Sequence, residues 1–188
     1  MTVSEKSIQL LSRRGFIKKS CLLTAALAPG LAPISAWAAQ FNKRSLSFYH
    51  THTCQSLDIV YAHGDCYDIK ALKKIDDYLK DFRTGDKYPI DRRLLDQLWI
   101  IEQAMGKKGT FEVISGYRSP VTNESLRKNS SGVAKRSFHM QGRAIDIRFS
   151  GASTAEVRDF AVALKSGGVG YYPKSDFVHL DTGKVRTW

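Results

Sequence analysis

The sequence predicts one α+β domain, a mostly antiparallel sheet flanked by helices, spanning residues 39–188. Two observations support this. Six short segments are rich in β-branched and aromatic residues or alternate apolar with polar, and four others carry helical spacing behind a capping residue. The order of these segments makes the C-terminal half largely antiparallel sheet.

Ser45–His52 and Ser56–Tyr61 flank a short polar turn and form a predicted hairpin. Asp68 then caps a helix whose apolar face is Ile69, Leu72, Ile75, Leu79 and Phe82. Gly85 and Pro89 interrupt, and Asp91 opens a second helix with Leu94, Leu95, Leu98, Ile101 and Met105 on one face, closed by Gly106. Phe111–Ile114 is a short strand running into Ser115-Gly116-Tyr117-Arg118-Ser119, where Ser119 caps a short helix beginning at Pro120. Residues 129–137 form a polar loop without apolar rhythm. Arg143–Phe149 alternates cleanly, with Ile145, Ile147 and Phe149 on one face and Ala144, Asp146 and Arg148 on the other. Ser153-Thr154-Ala155-Glu156 is a capping box opening a helix through Val157, Phe160, Ala161 and Leu164 that Gly167 ends. Val169–Tyr172 and Phe177–Leu180 are the closing strands.

Residues 1–38 read as a cleaved leader. Ser12-Arg13-Arg14-Gly15-Phe16-Ile17-Lys18 is basic, Cys21–Ala28 is a short apolar run broken by Pro29, and Ala36-Trp37-Ala38 supplies small residues for a signal peptidase. The paired arginines point to the twin-arginine route and hence to the periplasm. Spanning a bilayer takes ~18 or more apolar residues, so no stable membrane insertion is expected after cleavage. Taking the leader's five basic residues and one acid from the chain's +11 leaves about +7 on the mature part. That suits a polyanionic partner such as a carboxylate-rich cell wall, and export argues against nucleic acid. Export permits a disulfide, but Cys54 at the hairpin tip and Cys66 beyond the returning strand argue against one unless the chain bends locally, since ten extended residues reach ~33 Å.

Five histidines remain. His50, His52 and His63 lie in or near the hairpin and are read as surface residues. His139 ends the polar loop, Asp146 sits mid-strand opposite Ile145 and Ile147, and His179 shares a strand face with Phe177 and Asp181. Two imidazoles and a carboxylate are a donor set that catalytic zinc uses. On spacing alone the blander reading is preferred, with Asp146 on a solvated face and His179 a satisfied half-buried histidine.

The wording around these residues shifts that balance. Ser115-Gly116-Tyr117-Arg118-Ser119, Ser137-Phe138-His139-x-x-Gly142-Arg143-Ala144-x-Asp146, Gly167-Gly168-Val169-Gly170-Tyr171-Tyr172-Pro173 and Phe177-Val178-His179-x-Asp181-Thr182-Gly183 together resemble the LAS-type zinc peptidases, and among them the murein endopeptidase K type. The resemblance implies a single LAS/hedgehog-like catalytic domain holding one Zn2+ per chain through His139, Asp146 and His179. It implies that Arg118 binds a substrate carboxylate or carbonyl, since its planar fork grips a carboxylate through two hydrogen bonds. It also implies a general base three residues before the last histidine, at Asp176, with Asp181 as the rival. The implied activity is hydrolysis of cross-links between peptidoglycan stem peptides; the sequence does not fix the oligomeric state, and a monomer is the simplest reading. The alternatives are a D-Ala-D-Ala carboxypeptidase and a zinc-stabilised wall-binding protein without turnover.

Overall fold

The computed structural model describes residues 43–130 and 132–188, so the leader lies outside the described residues. In chain order the elements are β1 (Lys43–His50), β2 (Ser56–His63), β3 (Cys66–Tyr67), α1 (Ile69–Tyr78), α2 (Arg92–Met105), β4 (Phe111–Ser115), α3 (Pro120–Asn129), a 3-10 turn (Phe138–Gln141), β5 (Ala144–Phe149), α4 (Thr154–Leu164), β6 (Gly168–Tyr172), β7 (Phe177–Asp181) and β8 (Arg186–Thr187). Among the described residues no helix is long and apolar enough to cross a membrane.

The eight strands form one sheet in the order β3-β2-β1-β4-β5-β7-β6-β8. This corrects the expectation of a mostly antiparallel sheet. The sheet is mixed, because β1 pairs with β4 in parallel and β8 adds in parallel to β6. The physical reason is the connection. The chain leaves β2, builds α1 and α2, and returns beside β1 in β1's own direction. A parallel pair requires a long crossover of this kind.

Alternation divides the sheet into two faces with different tasks. Leu46, Phe48, Phe111, Val113, Ile145, Ile147, Val178 and Leu180 are buried in one core with Leu72, Ile75, Leu94, Leu98 and Val157 of the helices. Each fully buried side chain of this size contributes roughly 1.5–3 kcal/mol. The intervening strand residues, Asp146, Arg148 and His179 among them, therefore point to the opposite face, where they are available for chemistry.

The capping signals act as read. Asp68 accepts from Lys70 and Ala71 N–H, Ser119 from Thr122 N–H, and Ser153 with Glu156 closes a capping box. The apolar spacing carried the first helix on to Phe82, but it stops at Tyr78. The Leu79 carbonyl is taken by Tyr117 N–H at 2.8 Å, and Asp81 turns to hold Ser119. Cys54 and Cys66, whose pairing the sequence leaves open, are free and exposed. His52 and His63 are exposed, whereas His50 is buried (1 % exposed), against the surface reading. Its ring packs edge-on against Tyr78 and Phe82, a contact formed only once α1 folds over the hairpin.

Candidate metal centre

The site grows from a row of residues across the open face of the sheet. Strand register places Ser115 beside Asp146, Asp146 beside His179, and His179 beside Gly170. Asp146 and His179 are therefore lateral neighbours on paired strands, and their side chains rise together. Asp146 Oδ1 lies 2.8 Å from His179 Nδ1.

His139 comes from outside the sheet. Ser137 caps the 3-10 turn by accepting from His139 N–H, and His139 O in turn accepts from Arg118 N–H at 3.2 Å. The His139 ring is buried, and its Nδ1–H donates to Gly116 O at 2.8 Å. That bond fixes the tautomer and leaves Nε2 facing the row, 3.2 Å from His179 Nδ1 and 3.3 Å from Asp146 Oδ1. One atom each from His139, Asp146 and His179 thus lies within 4.8 Å of the others. Among the described residues this is the one such group of three. His50, His52 and His63 make no second cluster.

The donor set fits a divalent cation. His179 lies between two carboxylates, with Nδ1 2.8 Å from Asp146 Oδ1 and Nε2 3.2 Å from Asp181 Oδ2, so a neutral ring that gives its one proton to Asp181 keeps Nδ1 free. Nδ1 of His179, Nε2 of His139 and Oδ1 of Asp146 then present lone pairs to one another inside a buried pocket. Three converging acceptors are repulsive until a positive charge joins them. Without a cation, a proton on His179 can supply the positive charge instead. Burial works against a charged His179, but Asp146 and Asp181 on either side outweigh it and raise the ring to about 9. Burial also depresses His139, while the two imidazoles overcome desolvation to hold Asp146 well below the ordinary carboxylate range.

Arg118 borders this group. Its side chain is mostly buried, with one guanidinium nitrogen 3.6 Å from Asp146 Oδ2 and 3.3 Å from Ser115 Oγ. Its Nε is buried without a partner. A cleft of about 400 Å³ opens over the triad. Arg118, Phe138, Tyr172, Phe177, Arg186 and Trp188 are among its walls. Trp188 is half exposed, its ring 5.3 Å from that of His179 and its Nε1–H donating to Tyr172 Oη at 2.8 Å. It sits there because Gly170 has no side chain: a Cβ would lie 2.7 Å from the indole.

The two candidate bases are placed very differently. Asp181 has no exposed side-chain surface and is fully engaged by protein donors. Asp176 lies on the β6–β7 turn with its carboxylate largely exposed, accepting from Thr154 Oγ1 at 2.8 Å, while Arg148 Nε donates to its carbonyl. Asp176 is not brought against the triad in this arrangement. The roles of Arg186 and Trp188 were not anticipated, beyond their marking the end of the family resemblance. The only sequence signal for them is Gly170, whose missing side chain admits the indole.

Comparison with known proteins identifies the family. The model of the family described as peptidoglycan L,D-endopeptidase MepK matches residues 38–188. The chain belongs to that family. Peptidoglycan L,D-endopeptidase MepK of Escherichia coli (strain K12) is 38% identical over 165 residues, covering 87% of this chain and 91% of the relative. A probable peptidoglycan L,D-endopeptidase MepK of Haemophilus influenzae is 36% identical over 176 residues, covering 91% of this chain and 95% of the relative. No solved structure matches the chain. Family membership therefore rests on sequence along the whole described domain.

Proposed function

We propose that the chain is a zinc-dependent peptidoglycan endopeptidase that hydrolyses peptide cross-links between stem peptides. The observation that carries this is the convergence of His139 Nε2, Asp146 Oδ1 and His179 Nδ1 on one point beneath an open cleft, in a member of a peptidoglycan endopeptidase family. Three protein ligands with one side open is the arrangement of catalytic rather than structural zinc. A zinc ion held there supplies a Lewis acid that polarises the scissile carbonyl and acidifies an attacking water.

The chain's own residues do the rest. The Arg118 guanidinium, on the wall of the cleft, binds a carboxylate or carbonyl of the stem peptide and orients the bond over the triad. Phe138, Tyr172, Phe177 and Trp188 shield the cleft from water and pack against the apolar parts of the peptide. Asp176 relays the proton from the attacking water to the leaving amine. To do so it must leave Thr154, and catalytic carboxylates often reach their working geometry only with substrate bound. The saturation of Asp181 by other donors supports Asp176 over its rival.

We further infer that the protein acts as a monomer in the periplasm after twin-arginine export, its leader ending near Ala38. N-terminal sequencing of protein recovered from the periplasm tests that step. The activity is tested by digesting purified sacculi and resolving the muropeptides by chromatography and mass spectrometry. Conversion of cross-linked dimers to monomers is expected, and the product masses name the bond. Loss of terminal D-Ala alone would make the protein a carboxypeptidase. Zinc-loaded protein that binds sacculi and leaves every muropeptide intact would make it a wall-binding protein.

A further inference from the structure

We propose that Asp181 and Arg186 form a clamp that decides which nitrogen of His179 is offered to the metal, making them positioning residues of the site. The inference rests on the reading of His179 as a ligand and adds what that reading leaves open, namely why Nδ1 is the free atom.

His179 lies between two carboxylates. Asp146 Oδ1 is 2.8 Å from Nδ1, and Asp181 Oδ2 is 3.2 Å from Nε2. A neutral imidazole has one N–H to give. On distance alone Asp146 is the closer acceptor, and a proton drawn to Nδ1 would block the atom that faces His139. The ring presents a lone pair to the triad only if Asp181 keeps the proton on Nε2. Two features equip Asp181 for that.

The first is that it is held still. Its Oδ1 accepts from Gly168 N–H at 3.1 Å, Gly183 N–H at 2.8 Å and Arg186 Nη1 at 3.1 Å, while Oδ2 accepts from Arg186 Nη2 at 2.6 Å. Five donors, counting His179, crowd the roughly four lone-pair sites of one carboxylate and leave none free. The second is that its charge survives burial. The two hydrogen bonds from Arg186 compensate a carboxylate with no exposed side-chain surface, which would otherwise be costly to keep ionised. Arg186 is itself stacked near Phe138 and Trp188, with its guanidinium 5.5 and 4.8 Å from their rings. A Cβ at Gly168 would collide with both Arg186 and Asp181, so the clamp closes only over a glycine. Outer partners of metal-bound histidines act this way in general, by fixing tautomer and ring orientation.

The test is zinc affinity, measured by chelator competition on the full chain, together with the visible absorption of the cobalt-substituted protein. Asp181→Asn keeps the size of the side chain and removes its charge. Arg186→Gln removes the counter-ion from a side chain that is 41 % exposed and leaves no core cavity. Asp181→Asn is expected to weaken zinc binding by roughly 10–100-fold and to alter the cobalt spectrum, and Arg186→Gln to do the same to a smaller degree. Should Asp181→Asn fail to fold, Arg186→Gln decides alone. Wild-type affinity within twofold and an unchanged cobalt spectrum in the folded variants would overturn the clamp. Wild-type protein that takes up no stoichiometric zinc would instead remove the metal-site reading on which it rests.

Discussion

Replacing Asp81 by Asn asks whether the loop after α1 holds the Arg118 segment in place. Asp81 is 1 % exposed, and its carboxylate accepts from Ser119 N–H at 2.8 Å and from Arg83 N–H at 3.0 Å. Ser119 caps α3 and directly follows Arg118, and Tyr117 is tied to Leu79 O, so the loop braces the segment from Gly116 to Ser119. Asparagine has one acceptor oxygen in place of two, and its amide must turn N–H groups toward a buried donor. One lost charge-assisted bond is worth about 1.5–3 kcal/mol, and a buried donor left unpaired about 1–3 kcal/mol. The expected destabilisation at pH 7 is therefore about 3–5 kcal/mol. Its pH dependence has a definite sign. Burial raises the Asp81 pKa, but hydrogen bonds from Thr122, Ser119 and Arg83 outweigh it and hold the carboxyl below its ordinary value. A depressed carboxyl contributes stability that is fully present above the unfolded value near ~4 and is lost as pH falls through the folded value. Guanidinium unfolding of both proteins at pH 7 and pH 3 measures the gap, which should be full at pH 7 and narrower at pH 3. A gap below about 1 kcal/mol at pH 7, or one just as wide at pH 3, would refute the brace.

The site's division of labour gives three more expectations. Arg118→Lys keeps a charge but loses the fork, so kcat/KM should fall by ~10–150-fold with zinc content unchanged, the equivalent of about 1.5–3 kcal/mol. Trp188→Ala should raise KM by ~10–30-fold and leave kcat and zinc content near wild type, as expected for a rigid aromatic wall; a fall in kcat alone would contradict that role. Asp176→Asn should lower kcat by ~10²–10⁴ without loss of zinc, and a variant of undiminished kcat would remove Asp176 as the proton relay.

The strand positions of Asp146 and His179 were legible as alternation, whereas their union with His139 as a ligand set came from the resemblance and not from any local rule. The period-2 pattern of Arg143–Phe149 put Asp146 on the face opposite Ile145 and Ile147, and the structure keeps it there. His179 with Asp181 on one strand face was likewise visible as alternation. What that pattern could not show is that Asp181 faces inward to a closed clamp. Its partners Gly168 and Arg186 reach it only through the pairing of β6 with β7 and β8. Strands β3 and β8 have two residues each, too few to carry a pattern at all. The parallel pairing of β1 with β4 joins segments some sixty residues apart and follows from packing of the intervening helices rather than from any local signal. The first helix shows the same competition on a smaller scale. Its apolar spacing runs on to Phe82, but Leu79 O finds a better partner in Tyr117 N–H, and the helix yields.

The most direct measurement is cleavage of a cross-linked muropeptide dimer by protein stripped of metal, before and after one equivalent of zinc is returned, with His139→Ala and Asp146→Ala beside the wild type. Stripped wild-type protein is expected to be inactive and to recover with one equivalent, while neither variant recovers. Full cleavage by metal-free protein, or recovery of either variant at one equivalent, would contradict a single zinc centre built on His139, Asp146 and His179.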